Sequence, residues 1–492
     1  MDSFDLLIIG GGINGCAIAR DASGRGLKVL LVERDDLASH TSSASSKLIH
    51  GGLRYLEQYE FGLVRESLQE REAMLRIAPH IVRPLRFILP QPEGGRPWWM
   101  VRAGLLLYDL LAGRKSLPRS RTVAADDEAV RGPLKAKEAK LGAYWDAWVD
   151  DARLVLLNAL DAQERGAQIA TRTEFLGARR DGEAWTATLA GDRTVTARMI
   201  VNAAGPWVAE VLNDRLATDA RSDVRLIKGS HIVVPRLYEG EHAYILQQPD
   251  GRVVFALPYG RKSLIGTTDV AAPGPGELAI SDDEAAYLCT ATNLYFTRQI
   301  APADIIWSYA GVRALYDDGE PEAKNVTRDY RLELNPEPGP KLLSIFGGKI
   351  TTARHLATEA LEKLGIGGFK FTRTAPLPGG EMDRAFTDYL DRLAAWMPAD
   401  LLLRLSRAYG ARLARVLGPA VSLDGLGRDF GAGLYEAELV YLIEVEFAQT
   451  AEDILWRRTK LGLDMTTADQ RALADYLAAR PQSQALATGE KR

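Results

Sequence analysis

Two uninterrupted apolar runs open the chain, with glycines and a helical pattern between them. Asp5-Leu6-Leu7-Ile8-Ile9 predicts a buried strand, Gly10-Gly11-Gly12-Ile13-Asn14-Gly15 a turn, and residues 16–22 an alanine-rich helix. Residues 28–32 predict a second buried strand, closed by Glu33. Continuous apolar runs of this length suit strands covered on both faces. Helical spacing predicts helices over 62–77 and 152–166. Residues 86–90 read as a strand, 185–195 as alternating strands, and 199–207 as a strand whose small terminal residues return to the first glycine turn. Residues 230–234, 244–247, 253–257 and 264–267 alternate, which predicts an antiparallel sheet inserted into the first domain. Residues 342–346 form a further strand, turned by Gly347-Gly348 into a helix over 353–363. Residues 374–380 read as a linker, the pattern from Asp383 onward is helical, and the polar stretch 481–492 is expected to fray.

The glycine turn carries the first chemistry. Gly10, Gly12 and Gly15 fit G-x-G-x-x-G between a strand and a helix, and Glu33 ends the next strand. The first glycine makes the turn, the second lets backbone N–H groups approach a diphosphate, and the third lets helix pack on strand. The diphosphate then rests on the positive end of a helix. Glu33 is placed to accept from an adenosine ribose, which disfavours a 2′-phosphate. This pattern indicates a dinucleotide without separating FAD from NAD.

Composition narrows the classes further. With 492 residues and a formal net charge of -4, the chain has the length for two or three domains and no basic carpet for nucleic acid. Cys16 and Cys289 make no C-x-x-C pair, and six histidines are scattered, so no metal centre is expected. Cys16 reads as a packing residue. No secretory leader or membrane span is read. Residues 98–121 stand apart: Trp98, Trp99 and a leucine run alternate with Arg102, Arg114, Lys115, Arg119 and Arg121. A core helix with a basic end and an interfacial lipid anchor both fit that composition.

Taken together, Gly10–Gly15, the run Thr41-Ser42-Ser43-Ala44-Ser45-Ser46-Lys47-Leu48-Ile49-His50-Gly51-Gly52-Leu53-Arg54-Tyr55-Leu56, Asn202-Ala203-Ala204-Gly205-Pro206-Trp207, Lys228-Gly229-Ser230-His231, Ile265-Gly266-Thr267-Thr268-Asp269, Gly311-Val312-Arg313 and Phe346-Gly347-Gly348-Lys349-Ile350-Thr351-Thr352 resemble the FAD-dependent, quinone-linked glycerol-3-phosphate dehydrogenases. Residues 446–459 are similar to that family's helical domain. The resemblance implies an α/β fold. An FAD-binding Rossmann-like domain would carry an antiparallel substrate sheet, as in glycine and D-amino-acid oxidases, followed by a C-terminal α-helical domain. The expected boundaries are 1–376, with substrate-sheet segments near 80–110 and 225–305, and 381–480. It also implies oxidation of sn-glycerol 3-phosphate to dihydroxyacetone phosphate. Electrons would pass to a membrane quinone, from a cytoplasmic enzyme peripheral on the inner face of the membrane and its anionic lipids. A homodimer stays open.

That chemistry assigns roles. A base must reach the substrate hydroxyl, and His231 is the leading candidate, ahead of His50, which is expected to shape the flavin site. A phosphate dianion needs guanidinium or ammonium donors, for which Arg54, Arg313 and Lys349 are the candidates, with Tyr55 adding a hydroxyl and Arg328 a weaker addition. Lys349, Ile350 and Thr351 open a helix whose positive end suits charge developing on a flavin ring, Thr351 or Thr352 also serving as cap. The expected cofactor set is completed by Asn14, Thr41, Ser42, Ser45, Ser46, Lys47, Gly51, Gly52, Ala204, Gly205 and Gly348. Alternatives are a glycerol-3-phosphate oxidase using O2, an amine or amino-acid oxidase on the same fold, and a flavin-binding scaffold without turnover.

Overall fold

The computed structural model describes residues 1–91, 96–113, 116–218, 223–276, 278–316 and 329–480. Arg114, Lys115, Arg328 and the stretch 481–492 lie outside the described residues, as does the side chain of Arg54.

A parallel core forms the nucleotide domain. Strand Asp2–Ile9 lies between Val29–Val32 and Arg193–Asn202, parallel to both, and Lys341–Phe346 continues the sheet beyond Arg193–Asn202. Leu6, Leu7, Ile8 and all of Val29 to Leu31 are fully buried, because helices cover one face and the hairpin Phe175–Asp181/Ala184–Leu189 helps to cover the other. The covering helices are Ile13–Gly24, Asp151–Glu164 and Ala353–Lys363.

The second sheet holds ten strands. Val224–Pro235 pairs with Lys262–Gly266 on one edge and with Trp307–Tyr316 on the other, both antiparallel. Val253–Tyr259, His242–Gln247, Val82–Pro90 and Leu141–Val149 follow outward from Lys262–Gly266. Helix Asp282–Asn293 packs on one face, and helices Phe61–Ile77 and Trp98–Leu111 pack on part of the other. The expected sheet ranges need correction. Residues 98–111 are helical, and strands Leu141–Val149 and Trp307–Tyr316 fall outside 80–110 and 225–305. Leu141–Val149 hides because it is buried on both faces and built from small and aromatic residues, so its pattern does not alternate.

The helix Trp98–Leu111 has one buried and one exposed apolar side. Leu105 and Tyr108 are buried on the sheet, whereas Trp99 and Leu110 are each 68% exposed and Leu106 is 55% exposed.

A separate hydrophobic cluster holds the C-terminal helices Arg384–Leu393, Ala399–Tyr409, Glu436–Glu444 and Thr467–Ala479. Ion pairs tie this body to the nucleotide domain, the first buried on both sides and the second on the carboxylate side only. Arg153 meets Glu446 through two bonds of 2.9 and 2.8 Å, and Arg172 meets Asp453 at 2.8 Å. Trp456 stacks on Trp307 with ring centroids 4.8 Å apart.

His80 lies in this interface against Gly379 and Gly410, and is 2% exposed. Burial, aided by the Arg153 charge, pushes its imidazole down to about 3. Between that value and the ordinary 6.5 the unfolded chain binds the extra proton, so stability must fall as pH drops through this window. Urea unfolding should show the wild type losing about 2 kcal/mol more than His80→Gln between pH 6.5 and 5. Equal losses would contradict the assignment.

Candidate active site

The site begins at the first turn. Gly10 takes a φ of 109°, and a Cβ there would fall 2.5 Å from the Ala203 carbonyl oxygen. A Cβ at Gly15 would sit 2.0 Å from the Gly10 oxygen, so this glycine permits the helix to press on the turn and does not face the cavity. Gly12 does face it, and a Cβ there would meet only Ser42 Oγ, at 3.1 Å. Glu33 accepts from the Gly11 N–H at 2.6 Å and from the Asp35 N–H at 2.8 Å. Burial raises its carboxyl, and those two backbone donors oppose the rise.

A cavity of about 2120 Å3 runs from this turn to the second sheet. Its wall includes Asn14, Thr41, Ser42, Ser45, Ser46, His50, Gly52, Tyr55, Ala204, Gly205, Gly348, Ile350 and Thr351, with Glu33 toward one end and His231, Arg313 and Lys349 toward the other. Near Glu33 the wall continues through Arg34, His40 and Trp207. The Arg34 guanidinium lies 4.5 Å from the Trp207 ring, and His40 packs against the same ring.

The serine-rich loop is fastened from beneath. Lys47, expected to donate to the cofactor, instead places its ammonium 2.8 and 2.9 Å from the two Asp151 oxygens, buried and off the cavity wall. The reason is electrostatic: Asp151 is fully buried and needs a cation. Ser45 Oγ donates to Asp151 at 2.7 Å as well, so only Ser46 of this trio turns its hydroxyl to a catalytic candidate. Gly51 also departs from expectation. Its N–H donates to Tyr108 Oη at 2.8 Å, and it packs on Leu68 away from the cavity.

His231 sits mid-strand, opposite Tyr309 and Gly266. A Cβ at Gly266 would come within 2.0 Å of the imidazole, so glycine there is what lets the ring lie flat. The ring stacks on Tyr309, centroids 4.8 Å apart and planes 14° from parallel. Nε2 shares a hydrogen bond of 2.9 Å with Ser46 Oγ, and Nδ1 has no partner among the described residues. Burial, then the Lys47 and Arg313 charges, hold its pKa well below 6.5, which favours the neutral ring. Tyr309 in turn donates to the Ser45 carbonyl at 2.8 Å.

Two cations join it. Arg313, on the neighbouring strand, donates to Asp269 at 3.0 Å and is 40% exposed. Lys349 Nζ is buried, finds no hydrogen-bond acceptor among the described residues, and lies 4.2 Å from the Tyr55 ring centre. Asn14 Nδ2 donates to the Gly347 carbonyl at 3.1 Å and thereby fixes the turn that presents Lys349. The expected threonine cap is not made: Thr352 stands at the N-cap of Ala353–Lys363 without a side-chain bond. His50 is also held low by burial, against the opposing Asp146 charge and with the help of Lys349.

The donor set fits a flavin dinucleotide. An open glycine at the helix start, an orphaned ammonium and a buried unpaired imidazole nitrogen all mark the same cavity. Two family models match the chain, "FAD dependent oxidoreductase" over residues 5–354 and "C-terminal domain of alpha-glycerophosphate oxidase" over 370–479. A glycerol-3-phosphate dehydrogenase of Pseudomonas aeruginosa is 52% identical over 488 residues, covering 96% of this chain and 95% of its own. The chain belongs to the FAD-dependent glycerol-3-phosphate dehydrogenase family. FAD is its cofactor. A D-erythritol 1-phosphate dehydrogenase of Brucella abortus is similar at 49% identity, covering 96% of this chain and 98% of its own. The structure of a Bacillus halodurans glycerol-3-phosphate dehydrogenase complexed with FAD aligns with a TM-score of 0.72 at 26% identity, over 97% of this chain and 94% of that one.

Sequence reasoning missed Tyr309, the pairing of Asp269 with Arg313, and the buried anchors Asp146 and Asp151. Tyr309 precedes the quoted Gly311-Val312-Arg313 by two positions, and alternation along Trp307–Tyr316 was the signal that could have found it. The aspartates carry no such signal, because their partners lie far off in sequence.

Proposed function

We propose that the chain oxidises sn-glycerol 3-phosphate to dihydroxyacetone phosphate and delivers the electrons to a membrane quinone. The observation that carries this reading is the convergence of neutral His231 with the cations Arg313 and Lys349 on one cavity. A phosphate dianion is bound best by such charged donors, and Arg313 offers a planar fork for it. Tyr55 supports Lys349 through its ring face. With the phosphate so held, His231 takes the proton of the secondary hydroxyl, and the stack on Tyr309 keeps the ring in place. Bound FAD supplies the hydride acceptor. The bond from Ser46 to Nε2 fixes the ring's rotation.

The apolar face of Trp98–Leu111 supports delivery to a lipid-soluble acceptor. Trp99, Met100, Leu106, Leu107 and Leu110 are exposed together on one helix, with Arg119 and Arg121 exposed just beyond it. Among the described residues no helix is long and apolar enough to cross a membrane. Insertion of this face into the headgroup region of the inner leaflet, with the cations on anionic lipid, makes the enzyme peripheral. The D-erythritol 1-phosphate dehydrogenase named for the Brucella relative makes a longer polyol phosphate the competing substrate.

Anaerobic mixing of the holoenzyme with sn-glycerol 3-phosphate should bleach the flavin completely and faster than D-erythritol 1-phosphate does. No bleaching by the three-carbon substrate would defeat the proposal, and faster bleaching by erythritol phosphate would reassign the substrate. Flotation should carry the protein with anionic vesicles at low salt, and Trp99→Ser with Leu110→Ser should remove it from the lipid fraction. A distribution unchanged by the double substitution would place the membrane contact elsewhere.

A further inference from the structure

The C-terminal domain grips the segment behind the cofactor cleft at the Asp36 carboxylate. Arg457 Nε donates to Asp36 Oδ2 at 2.6 Å, while Arg458 donates to the same oxygen at 2.5 Å and to Oδ1 at 2.8 Å. Asp36 and Arg458 are each 2% exposed and Arg457 is 8% exposed. Charges removed from water to this degree hold their geometry rigidly, since loss of one partner strands the other.

Asp36 belongs to the stretch that leads from Glu33 to the serine-rich loop. Beside it, Ala38 N donates to the Gly11 carbonyl at 3.1 Å, and the residues from Ala38 to Ser42 line the cavity. Ser42 Oγ accepts from Ile13 N at 3.0 Å, at the start of the first helix. A second tie braces the same wall: Arg172 donates its backbone N–H to the Asp35 carbonyl at 2.8 Å and its side chain to Asp453. The wall facing the dinucleotide is therefore fixed from the helical domain, although no residue of that domain lines the cavity among those described.

We infer that Arg457 and Arg458 are positioning residues for the cofactor, latching the 33–42 wall through Asp36 and so setting how tightly FAD is held. The inference rests on FAD being the cofactor and goes beyond the proposed reaction. Without the latch the wall samples other arrangements, and binding must then supply the ordering cost, so the apparent Kd rises as the competent fraction falls.

The test uses the full chain stripped of flavin and titrated with FAD, read by flavin fluorescence, with Tm measured with and without FAD. Asp36→Asn keeps the side chain's shape and should weaken FAD binding about tenfold or more, narrowing the gap between the two Tm values. Arg458→Lys, which keeps the charge but loses the fork, should give a smaller loss in the same direction. Should Asp36→Asn not fold, Arg458→Lys decides alone. A Kd equal to that of the wild type, with both Tm values lowered in parallel, makes the cluster a structural brace only and overturns the latch. Failure of the wild type itself to take up FAD removes the premise as well, which the titration separates from loss of the latch.

Discussion

A carboxylate taken out of water must be met by donors on every side, and three buried aspartates impose that requirement on the walls of the cofactor cleft. Asp151 gathers Lys47 and Ser45 and so shapes the serine-rich loop. Asp146 takes bonds from Arg71 and from Tyr108, whose oxygen receives the Gly51 N–H and so sets the next turn. Asp36 is met by the arginines of the C-terminal domain. Removal of one partner from such a pair costs about 3–5 kcal/mol, far more than an exposed ion pair contributes. The cavity keeps its shape because none of these loops can move without stranding a charge.

The same constraint divides the lysines and histidines by role. Lys47 is spent on Asp151, whereas Lys349 emerges from a glycine turn on the cavity wall, and its ammonium meets the Tyr55 ring and no hydrogen-bond acceptor among the described residues. His80 is buried in an interface, while His231 is buried on the cavity wall with one nitrogen unpartnered. Burial, helped by neighbouring cations, depresses both imidazoles, so a lowered pKa does not distinguish the base; position does. Tyr108 adds a further connection. It lies on the helix whose opposite face is exposed and apolar, and it holds the loop that carries Tyr55. That exposed apolar face is thus one hydrogen bond from the turn at Gly51.

Local pattern made much of this visible in the sequence. The first strand, the glycine turn and Glu33 were legible because each is dictated by neighbours a few residues away, and the helix Ala353–Lys363 was bounded correctly by its flanking signals. Leu141–Val149 escaped because burial on both faces erases alternation. Lys47 and Gly51 were placed on the cofactor because their motif surrounds it, yet their side chain and backbone turn away toward Asp151 and Tyr108, partners 104 and 57 residues distant. Arg457 and Arg458 read in the sequence only as part of a helical motif, since a contact spanning more than four hundred residues leaves no periodicity. Distance in sequence, not subtlety of chemistry, is what hid these residues.

In the proposed reaction His231 takes the proton from the substrate hydroxyl oxygen, the cations beside it hold the phosphate, and the hydride on the same carbinol carbon would pass to bound FAD. Rapid mixing of the holoenzyme with sn-glycerol 3-phosphate deuterated at C2, without oxygen, tests this directly. Flavin reduction should slow several-fold against the protiated substrate in wild type, and His231→Gln should lower the rate constant for both isotopologues by about a hundredfold or more. An isotope effect of unity at saturation, or a variant that reduces its flavin at the wild-type rate, would contradict the account.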